Sequence, residues 1–365
     1  MLLSTDSNSL TEIDFKGVGV ITIYMGDTCN FNCVYCDRDY IRDDIGSQNI
    51  KSSDHSQIIS FMEQASRKAK DLVNITFHGG EPFLYLKRID RLLDAIQPMF
   101  PDDMLFFLTT NGSLVAESEW FFKKWGKQIR LTFSYDFQYQ EINREYVDVE
   151  AIAAMVQKYG SGMLFQFVCP PDREAFNEDS IANVIRTMKL AHCDTLNLIP
   201  LRHHRGAQKF KVLIDDIDLK WFSVDLMRFV QTMYVQGINI NIDGNYSKID
   251  KNYLKNHGKL ILSPDGYIYP EFDYLEYKRA EFRTGQWKNG AQLYRNGDED
   301  PMILEGCRTC PMREGCGLKY LYKMFGEEPK GSCVEFYKVV NLMVKHLYKL
   351  KKQPTLMHWL GYEDD

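Results

Sequence analysis

The sequence predicts an α/β protein, a partial (β/α)6 TIM-like barrel with a small C-terminal cysteine-rich domain. Three observations carry this. Six short apolar runs alternate with helical patterns up to residue 201, the chemistry-bearing residues fall just past the ends of those runs, and four of the nine cysteines crowd into 307–333. The 365 residues suit a barrel of about 200–250 residues plus an appendage.

Taken in order, "GVGVITIYMG" (17–26) reads as a buried strand, followed by a helix over 54–70 with Asp54 as N-cap. The strand "DLVNITFHGG" (71–80) precedes a helix over 87–98, and the strand "MLFFLTTNG" (104–112) a short helix near 117–126. Strands "IRLTFSYD" (129–136), "GMLFQFVC" (162–169) and "TLNLIPL" (195–201) enclose helices near 149–158 and 178–191. Strands separated by helices imply a parallel sheet, and a curved, partly closed barrel fits better than an open doubly wound sheet. A further helix over 217–236 and a hairpin around Pro264-Asp265-Gly266 follow, then a helix over about 334–351. The expected division is a barrel over 1–236 and a second domain over 237–365.

Composition narrows the function. Apolar residues at 44% and aromatics at 13% can fill a sizeable core, and a net charge of −6 argues against a nucleic-acid footprint. No run approaches the roughly 18 apolar residues of a membrane span. The first residues, "MLLSTDSNSLTEIDF", lack a basic flank and an apolar core, so no signal peptide is expected and a cytoplasmic location is. In a reducing cytosol, clustered thiols bind metal or react more often than they form disulfides.

In barrels of this kind the chemistry sits in the loops after the strands. After strand one, "MGDTCNFNCVYCDRDY" (25–40) places Cys29, Cys33 and Cys36 within eight residues. Three thiolates on one centre leave a position open, the mark of a reactive rather than a structural site. An iron–sulfur cluster fits this set, and zinc completed by His78 or Asp37 is the alternative. The spacing resembles the signature of the radical S-adenosylmethionine (AdoMet) superfamily. "FHGGEPFL" (77–84), "LTTNGSL" (108–114) and "LTFSYD" (131–136) resemble further family segments in the right order at successive strand ends.

The likeness covers roughly 17–205 and implies a four-iron cluster on Cys29, Cys33 and Cys36, with AdoMet chelating the open iron. It further implies contacts to the cofactor from Tyr35, from Gly79, Gly80, Glu81 and Pro82, from Asn111 and from Ser134. The implied reaction is reductive cleavage of AdoMet to a 5′-deoxyadenosyl radical that takes hydrogen from a substrate. Family members often carry glycine after the aspartate that corresponds to Asp136; Phe137 stands here, a change expected to reshape the pocket.

A second group, Cys307, Cys310, Cys316 and Cys333, supplies four thiolates, a set that spacing alone leaves open between zinc and iron–sulfur. "CRTCPMREGCGLKY" (307–320) resembles the SPASM extension behind many radical AdoMet barrels, which normally holds two auxiliary clusters. Tyr320 and Glu271 stand where ligands expected only for the first of them would be. The resemblance then implies one auxiliary four-iron cluster on the four cysteines present.

Two cysteines remain. Cys193 reads as a small buried hydrophobe. Cys169 ends a strand at the active face and is a candidate hydrogen-atom donor to a substrate radical, with a half-buried strand-end cysteine as the plainer reading. Asp136 is a candidate for accepting a proton or holding substrate, and "PLRHHRGAQ" (200–208) for a solvated basic loop or a carboxylate site. The resemblance implies peptide modification by crosslinking, epimerisation or oxidation, or else action on a small molecule such as a sugar or aminocyclitol. About 16 residues precede strand one, so peptide recognition is expected from a separate protein or the barrel rim. Flavodoxin or ferredoxin is the expected electron donor, with neither nucleic acid nor membrane as partner.

Overall fold

The computed structural model describes residues 15, 17–36, 48–169, 174–200, 219–242, 258–269, 283, 285–288 and 292–293. Its sheet runs β1 (Val18–Tyr24), β2 (Asn74–His78), β3 (Leu105–Thr110), β4 (Ile129–Ser134), β5 (Gly162–Cys169), β6 (Thr195–Pro200) and β7 (Asn239–Ile242), each parallel to the next. From β1 to β7, spatial order follows chain order without reversal. A doubly wound sheet reverses at a switch point, whereas sequential order with covering helices is the barrel arrangement. The six expected strands are present, as part of an α/β fold of the partial TIM-like kind.

The helices are α1 (His55–Lys68), α2 (Leu86–Ile96), α3 (Glu119–Trp125), α4 (Gln140–Asn143), α5 (Val149–Tyr159), α6 (Glu178–Leu190) and α7 (Leu219–Val235). Their apolar residues recur at helical spacing. In α1, Ile58, Phe61, Met62 and Ala65 are buried, and in α2 Ile89, Leu92, Leu93 and Ile96 are. Asp148 and Asn177 cap α5 and α6 by accepting from the amides of Ala151 and Ser180.

The strands alternate with period two. Ile75 and Phe77, Phe106 and Leu108, Leu131 and Phe133, Phe165 and Phe167, and Leu196 and Leu198 merge with the helix faces into one core. The intervening Thr76, His78, Thr109, Thr132, Gln166 and Asn197 are only half-buried. The strands thus turn an apolar side to the helices, while the opposite side mixes these polar residues with Phe107, Leu164, Val168 and Ile199.

Three features differ from expectation. Asp54 precedes α1, but its carboxylate accepts from the Lys51 amide at 2.8 Å and pairs with Lys288 at 3.1 Å instead of capping the helix. β7 extends the sheet beyond β6. The hairpin, β8 (Gly258–Leu262) and β9 (Tyr267–Tyr269), belongs to the same sheet, with β8 parallel to β1. Short strands β10 (Gly285–Gln286) and β11 (Gln292–Leu293) follow at that edge. The sheet therefore runs across the expected division at 236/237. Among the described residues no helix is long and apolar enough to cross a membrane. Glu271, Tyr320, Cys307, Cys310, Cys316 and Cys333 lie outside the described residues, as do the basic loop after β6 and the helix over about 334–351.

Candidate active site at the strand ends

The loop after β1 is built against the loop after β2. The Met25 amide donates to the His78 carbonyl at 2.7 Å, the Gly80 amide to the Gly26 carbonyl at 2.7 Å, and the Glu81 amide to the Thr28 carbonyl at 2.9 Å. This contact explains Gly80: a Cβ there would lie 1.9 Å from the Thr28 carbonyl oxygen. The cysteine-bearing loop therefore rests directly on backbone of the Gly-Gly-Glu segment.

Glu81 is fully buried and binds β2 to β3. Its Oε1 accepts from the Phe83 amide at 3.0 Å and the Thr110 hydroxyl at 2.8 Å, and its Oε2 from the Asn111 amide at 2.7 Å. Pro82 opens the short 3-10 turn that Glu81 caps. From β3, the Asn111 side-chain nitrogen donates to Asn30 Oδ1 at 3.0 Å and lies 3.9 Å from Cys29 Sγ. Asn30 in turn donates to the Ser113 hydroxyl at 2.8 Å.

Cys29, Cys33 and Cys36 are all half-buried free thiols. The Cys33 thiol is pushed up to about 11, chiefly by burial; Arg144 pulls the other way, and Cys36, Cys29 and Asp136 add to the rise. A thiol raised this way stays protonated unless a metal takes the proton's place. Among the described residues no three Cys, His, Asp or Glu side chains come together around a single ion. His78, the zinc alternative, turns Nδ1 to the Gly79 amide at 2.8 Å and stacks on Tyr24. Asp37, the other, lies outside the described residues. An all-thiol set of three fits a multi-iron cluster, where each sulfur serves its own iron.

β4 supplies the opposite wall. Ser134, its last residue, is buried and paired in register with Gln166. Asp136 is fully buried: its Oδ2 accepts from the Tyr35 hydroxyl at 2.7 Å and from Asn143 at 3.4 Å, and lies 3.3 Å from Arg144 Nε. Burial pushes the Asp136 carboxyl up, while Arg144, Tyr35 and Asn143 draw it back toward the charged form. Asp136 Oδ1 is buried without a partner. Arg144 Nε also donates to the Tyr35 hydroxyl at 2.6 Å, and the Val34 amide to the Asn143 carbonyl at 3.0 Å.

Phe137 takes φ +51°, the left-handed conformation that glycine would accept freely. Its ring lies against Tyr135, Phe165 and Phe167, on the core side of the sheet. Cys193 is buried and donates to the Met163 carbonyl at 3.0 Å, as a core thiol. Cys169 ends β5 in register with Pro200, and its side chain lies outside the described residues. Arg144, Asn143, Asn30 and Ser113 were not legible as site residues. Arg144 and Asn143 lie outside a recognisable motif and are brought to the cysteine loop only by the fold, whereas Asn30 and Ser113 lie within the segments 25–40 and 108–114 but are paired with each other only by the fold.

Residues 23–149 match the Radical SAM superfamily model. A probable GTP 3′,8-cyclase of Halobacterium salinarum is 35% identical over 109 residues, 29% of this chain and 29% of that protein. The radical SAM cyclopropyl synthase TigE of Paramaledivibacter caminithermalis is 21% identical over 314 residues, 82% of this chain and 54% of that one. The chain thus aligns with less than a third of the cyclase and about half of the synthase. Among solved structures, Streptococcus suis SuiB bound to its precursor peptide SuiA superposes with a TM-score of 0.60 at 16% identity, covering 86% of this chain and 74% of that one. SuiB bound to S-adenosylmethionine gives 0.57 at 17% identity, with 82% and 72% covered. These structures share the fold. On residues 23–149 and the strand-end loops they form, this chain is similar to the Radical SAM superfamily, a family that implies a four-iron cluster and S-adenosylmethionine.

Proposed function

We propose that the chain is a radical AdoMet enzyme that takes a hydrogen atom from a peptide or protein and so crosslinks, epimerises or oxidises it. The observation that carries this reading is the trio Cys29, Cys33 and Cys36, half-buried on one loop that is held by the ends of β2, β3 and β4. These thiolates hold the cluster. When bound, the cluster and AdoMet supply a 5′-deoxyadenosyl radical as the hydrogen-abstracting agent.

The chain's own residues position, orient and exclude water. The segment Gly79, Gly80, Glu81 and Pro82 is assigned to contacting an amino group of the cofactor, its Gly80 and Glu81 amides being spent on the β1 loop. Asn111 and Ser134 offer polar contacts from β3 and β4, and Tyr35 an aromatic wall. Asp136 is assigned to holding the site, and Cys169 to hydrogen-atom return. The C-terminal part of the chain, past the strands that join the sheet, carries one auxiliary cluster on Cys307, Cys310, Cys316 and Cys333 in a SPASM-like arrangement. A reductant such as flavodoxin or ferredoxin delivers the electron in the cytosol, and a separate protein or the barrel rim recognises the peptide.

The peptide reading draws support from the likeness in fold to SuiB bound to its precursor peptide. The second reading, a small-molecule substrate, draws on the local identity to GTP 3′,8-cyclases. Iron, sulfide and Mössbauer measurements on anaerobically reconstituted protein test the assignment. About eight irons per chain are expected for two cubanes. Stoichiometric zinc with little sulfide would overturn the auxiliary cluster, and no AdoMet-responsive cluster at all would overturn the enzyme.

A further inference from the structure

Tyr35 lies between Cys33 and Cys36, and its hydroxyl is held from both sides by a buried charge pair. It donates to Asp136 Oδ2 at 2.7 Å and accepts from Arg144 Nε at 2.6 Å, while the guanidinium sits 5.3 Å from the ring centre. The Arg144 and Asp136 side chains are only 7% and 0% exposed. The same element grips the loop a second time, through the Asn143 carbonyl and the Val34 amide at 3.0 Å. Gln140, at the start of α4, accepts from the Asp136 amide at 2.9 Å and so fixes the loop after β4. The cysteine loop is thus fastened across the barrel mouth, from the end of β1 to the end of β4.

We propose that the Asp136–Arg144 pair is a positioning device for the cysteine loop and sets the reduction potential of the cluster held there. This rests on the reading that Cys29, Cys33 and Cys36 bind an iron–sulfur cluster. Outer groups that fix a metal ligand also tune the metal, and iron–sulfur potentials respond to nearby charge, hydrogen bonds and solvent. Water is kept from the pair, so its charges are poorly screened. A cation held beside the cysteine loop favours the reduced, more negative state of a cluster there, and a carboxylate disfavours it.

The two members predict shifts of opposite sign. Asp136→Asn keeps an oxygen for Tyr35, Arg144 and Asn143 but removes the negative charge, so the midpoint potential should rise. Arg144→Gln removes the cation and leaves the carboxylate, so the potential should fall. A merely structural role would lower iron content in both variants without opposed shifts. The measurement is an EPR-monitored potentiometric titration of the reconstituted full chain, following the signal that disappears in the Cys29/Cys33/Cys36→Ala protein. Arg144→Lys, which keeps charge but not the planar fork, guards against poor folding of Arg144→Gln and should hold near the wild-type potential. Equal potentials in all of these proteins, or shifts of the same sign for Asp136→Asn and Arg144→Gln, would overturn the proposal. A wild-type chain that takes up no cluster would instead overturn the reading beneath it.

Discussion

At Phe137 a bulky residue occupies a backbone conformation that costs a side chain about 1–2 kcal/mol. Burial of its ring among Tyr135, Phe165 and Phe167 offsets that cost. The two effects separate in a pair of variants. Phe137→Ala loses the ring and keeps the strain, while Phe137→Gly loses the ring and relieves the strain. Both should be less stable than wild type, with the glycine variant more stable than the alanine variant by roughly 1 kcal/mol in denaturant unfolding. An alanine variant at least as stable as the glycine variant would show that the backbone is not strained. At Cys169 the proposed hydrogen return predicts solvent deuterium in the product of an epimerisation. Cys169→Ala should still cleave AdoMet but fail to complete the inverted product, and normal product at a normal rate would end that role. Residue identity made the cysteines, Gly80 and Glu81 legible in the sequence, because a short local pattern carries each. Arg144 was not legible: its partner Tyr35 lies 109 positions away.

Among the elements, α1 gives a pH test away from the cysteines. His55 begins the helix, its Nε2 is buried without a partner, and burial lowers its pKa below the ordinary 6.5, with Arg91 and Arg88 on α2 adding and Asp54 opposing. The unfolded chain then binds the proton more readily than the folded one. Stability should be full above about 6.5 and decline as pH falls through that value toward the folded-state pKa. Thermal unfolding at pH 7.5 and 5.5 should show a smaller acid loss in His55→Gln than in wild type, and an equal loss would remove His55 as the cause. The helices other than the four-residue α4, and β1 to β6, were legible because each carries a helical period or a short apolar run between turn residues. β7 was not: "NINI" is four residues long, too short to stand out from a connecting segment. The hairpin was legible from Pro264-Asp265-Gly266, but its parallel pairing with β1 was not, since nothing local in β8 names its neighbour.

For the whole molecule, an uninterrupted run of parallel strands from β8 through β1 to β7 carries the cysteine loop, the Gly-Gly-Glu segment and the β4 loop on one rim. The fold class was legible from alternation alone, and the family from four short segments on consecutive rims. The substrate was not, because specificity is set by loops and partners rather than by the barrel. If the substrate is a peptide, deoxyadenosine release should rise on adding the cognate peptide and not on adding sugars, aminocyclitols or GTP; the opposite response would favour the small-molecule reading. The account turns on the claim that Cys29, Cys33 and Cys36 form the reactive centre. The most direct measurement is 5′-deoxyadenosine formed from AdoMet under strong reductant, compared between the reconstituted wild type and the variant with all three replaced by Ala. Deoxyadenosine from the wild type and none from the variant is the predicted result, and cleavage that survives in the variant would contradict it.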